Sequence, residues 1–118
     1  MTKDIEDKKL IRGIGFDATC SLVAITTTGE PITVSPSKDP QWNVIMWLDH
    51  RAVDQAKKIS SSNHKVLDYV GGVLSPEMQA PKMLWLKENL PLECWAKAEL
   101  FLDLPEYLGY MATGIPVR

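Results

Sequence analysis

Apolar residues in the first half of the chain fall into short runs, each bounded by polar or turn-forming residues. Residues 11–19 and 21–26 are therefore predicted as two strands, and the turn at 28–31 leads into 32–34, which is predicted as the return arm of a hairpin. Residues 44–48 are five consecutive apolar residues without alternation. Such a run is typical of a strand that is covered on both faces, as in the parallel sheets of α/β proteins.

In the second half, the spacing of apolar residues indicates helices and one strand. The predicted elements are helices 50–59, 64–70 and 82–89, strand 99–102, and a last helix that ends near Gly114. Asp49 is expected to cap the first helix, and Gly71 is expected to end the second in a left-handed conformation. Asp103 and Glu106 have the spacing of a capping box at the start of the last helix.

The order of these elements (strand, hairpin, strand, helices, strand, helix) predicts the α/β class. A parallel strand such as 44–48 requires neighbours on both sides, and few further strands are predicted. We therefore expect an incomplete sheet, because the sequence resembles the middle of a larger domain.

Composition narrows the class of protein without identifying it. A length of 118 residues with 45% hydrophobic and 24% charged residues is typical of one soluble globular domain, without a complete second domain. The net charge of −2 argues against nucleic-acid binding, and no apolar run approaches the roughly 20 residues that cross a bilayer. Two cysteines, Cys20 and Cys94, are too few for a disulfide framework or a zinc site and favour a reducing, cytoplasmic compartment.

Several common catalytic motifs are absent from the sequence. His50 and His64 are present, but the Gly-x-Ser-x-Gly nucleophile elbow and the Gly-Lys-Ser/Thr end of a phosphate-binding loop are not. The glycines at 13–15 lack the third glycine of a dinucleotide-binding fingerprint. Asp49, His50 and Asp54 do not share one face of a helix, so no metal site is expected there.

Two segments remain as candidate ligand contacts, residues 17–21 and 47–51, because each follows a predicted strand. Ligands of α/β sheets bind beyond the carboxyl ends of strands, so both segments are expected at one rim. A tryptophan ring covers the C–H surface of a sugar and a carboxylate accepts its hydroxyl protons, so Trp47 and Asp49 suit a polyol. Three alternatives stay open: Trp47 as a core residue, Asp49 as an N-cap, and Asp17 as a turn former.

These segments resemble motifs of the FGGY family of carbohydrate kinases, most closely those of its ribulokinase branch. The motifs that carry the resemblance are the segment Gly13-Ile14-Gly15-Phe16-Asp17-Ala18-Thr19-Cys20-Ser21, the segment Trp47-Leu48-Asp49-His50-Arg51-Ala52, and the spacing Gly71-Gly72-x-x-Ser75-x-Glu77-x-x-x-Pro81-Lys82. Residues 84–89, 103–108 and 112–114 resemble the helices that follow in the family. The resemblance therefore covers nearly the whole chain.

The resemblance implies part of a ribonuclease H-like (actin-like ATPase) domain, with a mixed sheet and flanking helices. Residues 1–118 would form an incomplete N-terminal, sugar-binding domain. In this family two such domains close on a sugar and on ATP with magnesium, and a phosphoryl group passes to a terminal sugar hydroxyl. The implied substrate is D-ribulose or a similar ketopentose.

The resemblance also implies which residues contact the sugar or support its contacts. They are Asp17, Ala18, Thr19, Cys20, Trp47, Asp49, Arg51 and Glu77. Arg51 would brace the pocket by pairing with Asp49 or Glu77. Glu77 would shape the far wall together with the Gly71-Gly72 turn, and helix capping is an equal alternative for Glu77.

The family's phosphate-binding hairpin precedes the matched motifs, and its catalytic aspartate and ATP-binding domain follow them. We therefore expect no catalytic residue here, no binding of ATP or magnesium by this chain alone, and no turnover in isolation. One alternative is a non-catalytic fragment that binds sugar, associates with a full-length homologue, or forms a homo-oligomer. The other is an unrelated small α/β binding domain.

Overall fold

The structure is a computed structural model and describes residues 7–114. Its strands and α-helices, in chain order, are β1 (Leu22–Ile25), β2 (Val44–Ile45), α1 (Val53–Ser60), α2 (Gln79–Asn89), β3 (Leu100–Asp103) and α3 (Leu104–Thr113). Lys8–Leu10 and Lys65–Val70 form 3-10 turns, and Pro91–Trp95 forms a π-helical turn. None of the helices between residues 7 and 114 is long and apolar enough to cross a membrane.

The three strands form one sheet in the order β2-β1-β3, and both pairings are antiparallel. Leu22 of β1 is paired with Ile45 on one side and with Asp103 on the other. The α/β class is therefore confirmed, while the expected parallel pairing is absent from the described part of the chain. The mixed sheet predicted from the resemblance is thus wrong for residues 7–114.

The central strand is β1, and all four of its residues are buried. Leu22 and Ala24 contribute to a core that also contains Ile45 and, from α2, Leu86. Val23 and Ile25 belong to a second core, against which Leu104, Tyr107 and Tyr110 of α3 pack. Helices therefore cover β1 on both faces, which is the environment that we predicted for residues 44–48.

Residues 44–48 do not form the predicted five-residue strand, since only Val44 and Ile45 pair with β1. The chain then turns: the amide of Asp49 donates a hydrogen bond to the carbonyl of Met46 at 3.0 Å. The turn leaves Met46 and Leu48 exposed. The prediction from the apolar run was wrong because a tight turn ends the strand after Ile45. A backbone hydrogen bond closes this turn, and the hydrophobic pattern does not reveal it.

Residues 11–19 form no strand, contrary to the prediction, and most of them are exposed. The Gly13 and Gly15 backbones would lose much entropy in a strand and have no side chain to pack. Ile14, which lies between them, is 80% exposed.

The predicted return arm is reduced to a bridge between Ile25 and Pro31, followed by a hydrogen bond from the Ile32 amide to the Ala24 carbonyl. Proline has no amide to donate, so it limits the ladder at this point. Val34, at the end of the arm, is nevertheless buried in the core.

The helical predictions succeeded where local end signals are strong. Asp103 and Glu106 form the predicted capping box of α3, and Gly114 ends that helix at φ 68°. Gly71 ends the 3-10 turn Lys65–Val70 at φ 81°, where we had predicted an α-helix. Strand β3 lies within one residue of the predicted range.

The start of α1 differs from the prediction. The helix begins at Val53, and Ala52 occupies the N-cap without a side-chain hydrogen bond. The predicted N-cap role of Asp49 is therefore wrong. Helix α2 begins at Gln79, earlier than the predicted 82, and its N-cap residue Met78 also makes no capping bond.

Candidate functional site

Ser21 joins the two segments that the sequence singled out. Its hydroxyl accepts a hydrogen bond from the amide of Trp47 at 3.3 Å and lies 3.2 Å from the hydroxyl of Thr19. Ser21 is buried and directly precedes β1, so the central strand fixes its position. Residues 19–21 and the turn at 46–49 are therefore neighbours, but segment 17–21 precedes β1 and does not follow a strand, contrary to the prediction.

Arg51 and Asp49 form a closely paired guanidinium and carboxylate. The Nε of Arg51 donates to both carboxylate oxygens of Asp49 at 3.0 Å, and the Arg51 amide donates to Oδ1 at 3.0 Å. These hydrogen bonds hold the pKa of Asp49 below its usual value of 3.8. Asp49 is therefore ionised at neutral pH, and in this form both of its oxygens act only as hydrogen-bond acceptors.

The guanidinium of Arg51 is held by two further contacts. Its Nη1 donates to the carbonyl of Val34 at 2.8 Å, and its Cζ lies 4.9 Å from the centroid of the Trp85 ring. Of the two predicted pairings, Arg51 makes the one with Asp49. Because Arg51 is fixed on several sides, it also fixes the orientation of the Asp49 carboxylate.

Glu77 makes a different contact from those predicted. Its Oε1 lies 3.2 Å from the Nε2 of His50, and its amide donates to the hydroxyl of Ser75 at 3.2 Å. Because α2 has Met78 at its N-cap and no side-chain capping bond, the helix-capping interpretation of Glu77 is wrong. The His50 contact brings Glu77 to the residues that follow the 46–49 turn.

Lys82 is the residue of this region that the sequence analysis missed. Its side chain is fully buried, and its Nζ donates to the carbonyl of Met46 at 2.9 Å. Burial lowers the pKa of Lys82, whereas the nearby Cys20, Asp49 and Glu77 favour its charged form. The Pro81-Lys82 pair was visible in the motif, but lysine is so often exposed on helices that its burial had no local signal.

The other predicted contacts differ in exposure. Asp17, Thr19 and Cys20 are exposed and Ala18 is partly buried, so the first segment presents small polar groups to solvent. A separate pocket of about 240 Å³ is lined by Asn63, His64, Leu67, Asp68 and Gly72, none of which is a predicted sugar contact. Gly72, which belongs to the turn predicted to shape the far wall of the sugar pocket, thus lines this other pocket.

The described residues do not provide a metal site. Within 7–114, no group of three or more His, Cys, Asp and Glu side chains is arranged to hold a metal ion. The Asp49 carboxylate is already bonded to Arg51, and Glu77 contacts His50. These residues do not fit magnesium, so no step of phosphoryl transfer is assigned to them.

Comparison with known proteins gave matches to proteins that are named as carbohydrate kinases or ribulokinases. The chain is 57% identical over 112 residues to the human FGGY carbohydrate kinase domain-containing protein, a match that covers 95% of this chain. It is 48% identical over 110 residues, or 92% of the chain, to a D-ribulokinase of Saccharomyces cerevisiae. It is 30% identical over 119 residues, or 95% of the chain, to a ribulokinase of Bacillus licheniformis. No protein-family model matches the chain.

The matches cover 20%, 15% and 21% of those three relatives, respectively, so the chain spans about a fifth of their length or less.

Proposed function

The chain is homologous to a segment of the FGGY carbohydrate kinases, in their ribulokinase branch, and from this relationship we propose that it is the sugar-binding segment of an ATP-dependent pentulose kinase. The substrate is D-ribulose or a similar ketopentose, phosphorylated at a terminal hydroxyl. The segment forms part of the N-terminal, ribonuclease H-like domain of such a kinase in the cytoplasm. ATP and magnesium are cofactors of the complete enzyme, and this chain binds neither alone.

The observation that carries the proposal is the junction of residues 19–21 with the turn at 46–49 through Ser21. It joins the segment of small polar groups to the turn that carries Trp47 and Asp49. An indole ring and an ionised carboxylate are a combination that binds a polyol. Trp47 covers the C–H surface of the sugar, and Asp49 accepts protons from its hydroxyls.

The remaining residues support these contacts in the proposal. Arg51 orients Asp49 through its bonds to both carboxylate oxygens. Asp17, Ala18, Thr19 and Cys20 border the sugar on the opposite side, and Glu77 completes the wall beside His50. The chain binds and orients the sugar, and no residue in it acts as the catalytic base.

The proposal is tested in a hybrid kinase in which the matching part of this chain replaces the corresponding segment of the yeast D-ribulokinase, a match of 110 residues. We expect D-ribulose-dependent ADP formation by this hybrid. The change Asp49→Asn removes a charged acceptor, so kcat/KM for D-ribulose should fall about 10- to 100-fold.

The matched control is Asp54→Asn, because the Asp54 side chain on α1 is 91% exposed. This variant should retain the kcat/KM of the parent hybrid. An active hybrid whose kcat/KM is unchanged by Asp49→Asn would remove Asp49 from the sugar site. A folded hybrid without activity toward any ketopentose would overturn the proposed function.

A second candidate function is a non-catalytic role, in which the chain associates with a full-length homologue or with itself. Exposed apolar side chains favour it: Ile14 is 80%, Leu10 69% and Leu48 60% exposed. Burying such surface drives association. Analytical ultracentrifugation of the 118-residue chain, alone and with a full-length kinase, tests this candidate. The candidate requires a stable complex, and the activity of the full-length kinase, assayed separately, should not change.

A further inference from the structure

We propose that Lys82 is a positioning residue, whose buried ammonium group fixes the turn at 46–49 and thereby the two residues that contact sugar, Trp47 and Asp49. The inference rests on the proposed function for its consequence in sugar binding. Its structural part, that Lys82 orders the turn, stands independently of that function.

The geometry places two donors on a single acceptor. The carbonyl of Met46 accepts the Asp49 amide at 3.0 Å, which closes the turn, and it accepts the Lys82 Nζ at 2.9 Å. Lys82 belongs to α2, so this second bond ties the turn to a helix that packs on the central strand. Ser21 holds the Trp47 amide of the turn, and the Lys82 bond fixes the direction of the Met46 carbonyl.

Burial makes Lys82 a costly choice for a purely structural role. The side chain is fully buried, and its Nζ donates a hydrogen bond to the Met46 carbonyl. A methionine of similar length would fill the same space without the desolvation cost of a charge. The charge therefore has a use in the site.

The charge of Lys82 helps to position the carboxylates around it. Asp49 and Glu77 both favour the charged form of Lys82, so the lysine in turn attracts both carboxylates. Asp49 is the last residue of the turn, and Glu77 lies in the segment that leads into α2. A single buried cation thus draws together the two acidic residues of the proposed sugar wall.

The structural part is tested by amide hydrogen exchange of the 118-residue chain, followed by NMR. Lys82→Met removes the charge and the donor but keeps the volume. We expect the Asp49 amide to exchange at least 10-fold faster, while the Ala24 amide, which donates to Asn43, is unaffected. The thermal midpoint should stay the same or rise, because a buried charge is removed.

Two variants control this experiment. Lys87→Met is the same change on the same helix, at a side chain whose Nζ lies over the Trp95 ring, and it should leave Asp49 exchange unchanged. Lys82→Arg keeps the charge and should restore part of the protection. Unchanged Asp49 exchange in Lys82→Met overturns the proposal. Faster exchange of Asp49 and Ala24 alike, with a lower midpoint, also overturns it, since Lys82 would then support the whole fold.

The functional part is tested in the hybrid kinase. Lys82→Met should raise KM for D-ribulose at least 10-fold and leave KM for ATP unchanged. A selective loss of Asp49 protection with an unchanged sugar KM would overturn the link to sugar binding. If the parent hybrid is inactive, the proposed function fails, but the exchange experiment still decides whether Lys82 positions the turn.

Discussion

Ser21 and Trp47 lie 26 residues apart in sequence, and the amide of Trp47 donates a hydrogen bond to the hydroxyl of Ser21. The bond links the residue that precedes the central strand β1 with the turn that follows the neighbouring strand β2. Because Ser21 is buried, its hydroxyl cannot be replaced by water without rearrangement. The Ser21 hydroxyl therefore joins the two halves of the candidate site, in addition to the pairing of Leu22 with Ile45.

We predict that Ser21→Ala destabilises the protein by about 1 kcal/mol, because the Trp47 amide loses its acceptor. Urea unfolding of the 118-residue chain measures this change. Ser37→Ala is the matched control, since the exposed Ser37 hydroxyl bonds only within its own loop to Ser35. Equal stability of the two variants would contradict the bridging role of Ser21.

The pairing of Asp49 with Arg51 predicts a specific pH dependence. The pKa of Asp49 is lowered in the folded state, so its stabilising contribution is complete above the usual value of 3.8 and is lost as the pH falls through the folded-state pKa. We expect wild type to have a higher thermal midpoint than Asp49→Asn at neutral pH, and this difference should shrink below about pH 4.

The comparison with Asp49→Asn cancels the contributions of Glu88, Glu93 and Glu99, whose pKa values are also lowered by hydrogen bonds. A difference in midpoint that is constant from neutral pH to about pH 2 would contradict the ion pair.

Two glycines should respond oppositely to alanine. Gly29 has φ +87°, and a Cβ there would lie 2.8 Å from the Tyr110 hydroxyl, so Gly29→Ala should destabilise by at least about 1 kcal/mol. Gly109 lies within α3 with open space around it, and Gly109→Ala should stabilise by about 0.5–1 kcal/mol. Differential scanning calorimetry gives both values.

The double variant Gly29→Ala with Tyr110→Phe separates the two costs at Gly29. Removal of the hydroxyl relieves the contact, but the left-handed backbone remains strained. We expect only partial recovery of the thermal midpoint. Full recovery would show that the contact with α3, and not the backbone conformation, makes glycine necessary.

We also predict that the isolated 118-residue chain does not hydrolyse ATP in response to D-ribulose. The described residues include no arrangement for a metal ion, and phosphoryl transfer depends on positioning and neutralising phosphate charge. A coupled assay for ADP with magnesium present measures this. Sugar-dependent ADP release that is lost in Asp49→Asn would show that the chain contains its own catalytic base.

The sequence determined those features that depend on neighbouring residues. The Asp103 and Glu106 capping box, the left-handed ends at Gly71 and Gly114, and the strand before Asp103 follow from backbone preferences within a few positions. Motifs that are spread along the chain carry the resemblance to the FGGY family, and they indicate the segments 17–21 and 47–51 as candidate contacts. The homology found by comparison agrees with that family.

Only the tertiary structure decided which apolar run is central. Residues 22–25 and 44–48 carry similar hydrophobic signals, but helices cover β1 on both faces, while a turn ends β2 after Ile45. The burial of Lys82 and its bond to Met46 depend on residues 36 positions apart. Such contacts arise from the packing of α2 on the sheet, and no local preference of a lysine encodes them.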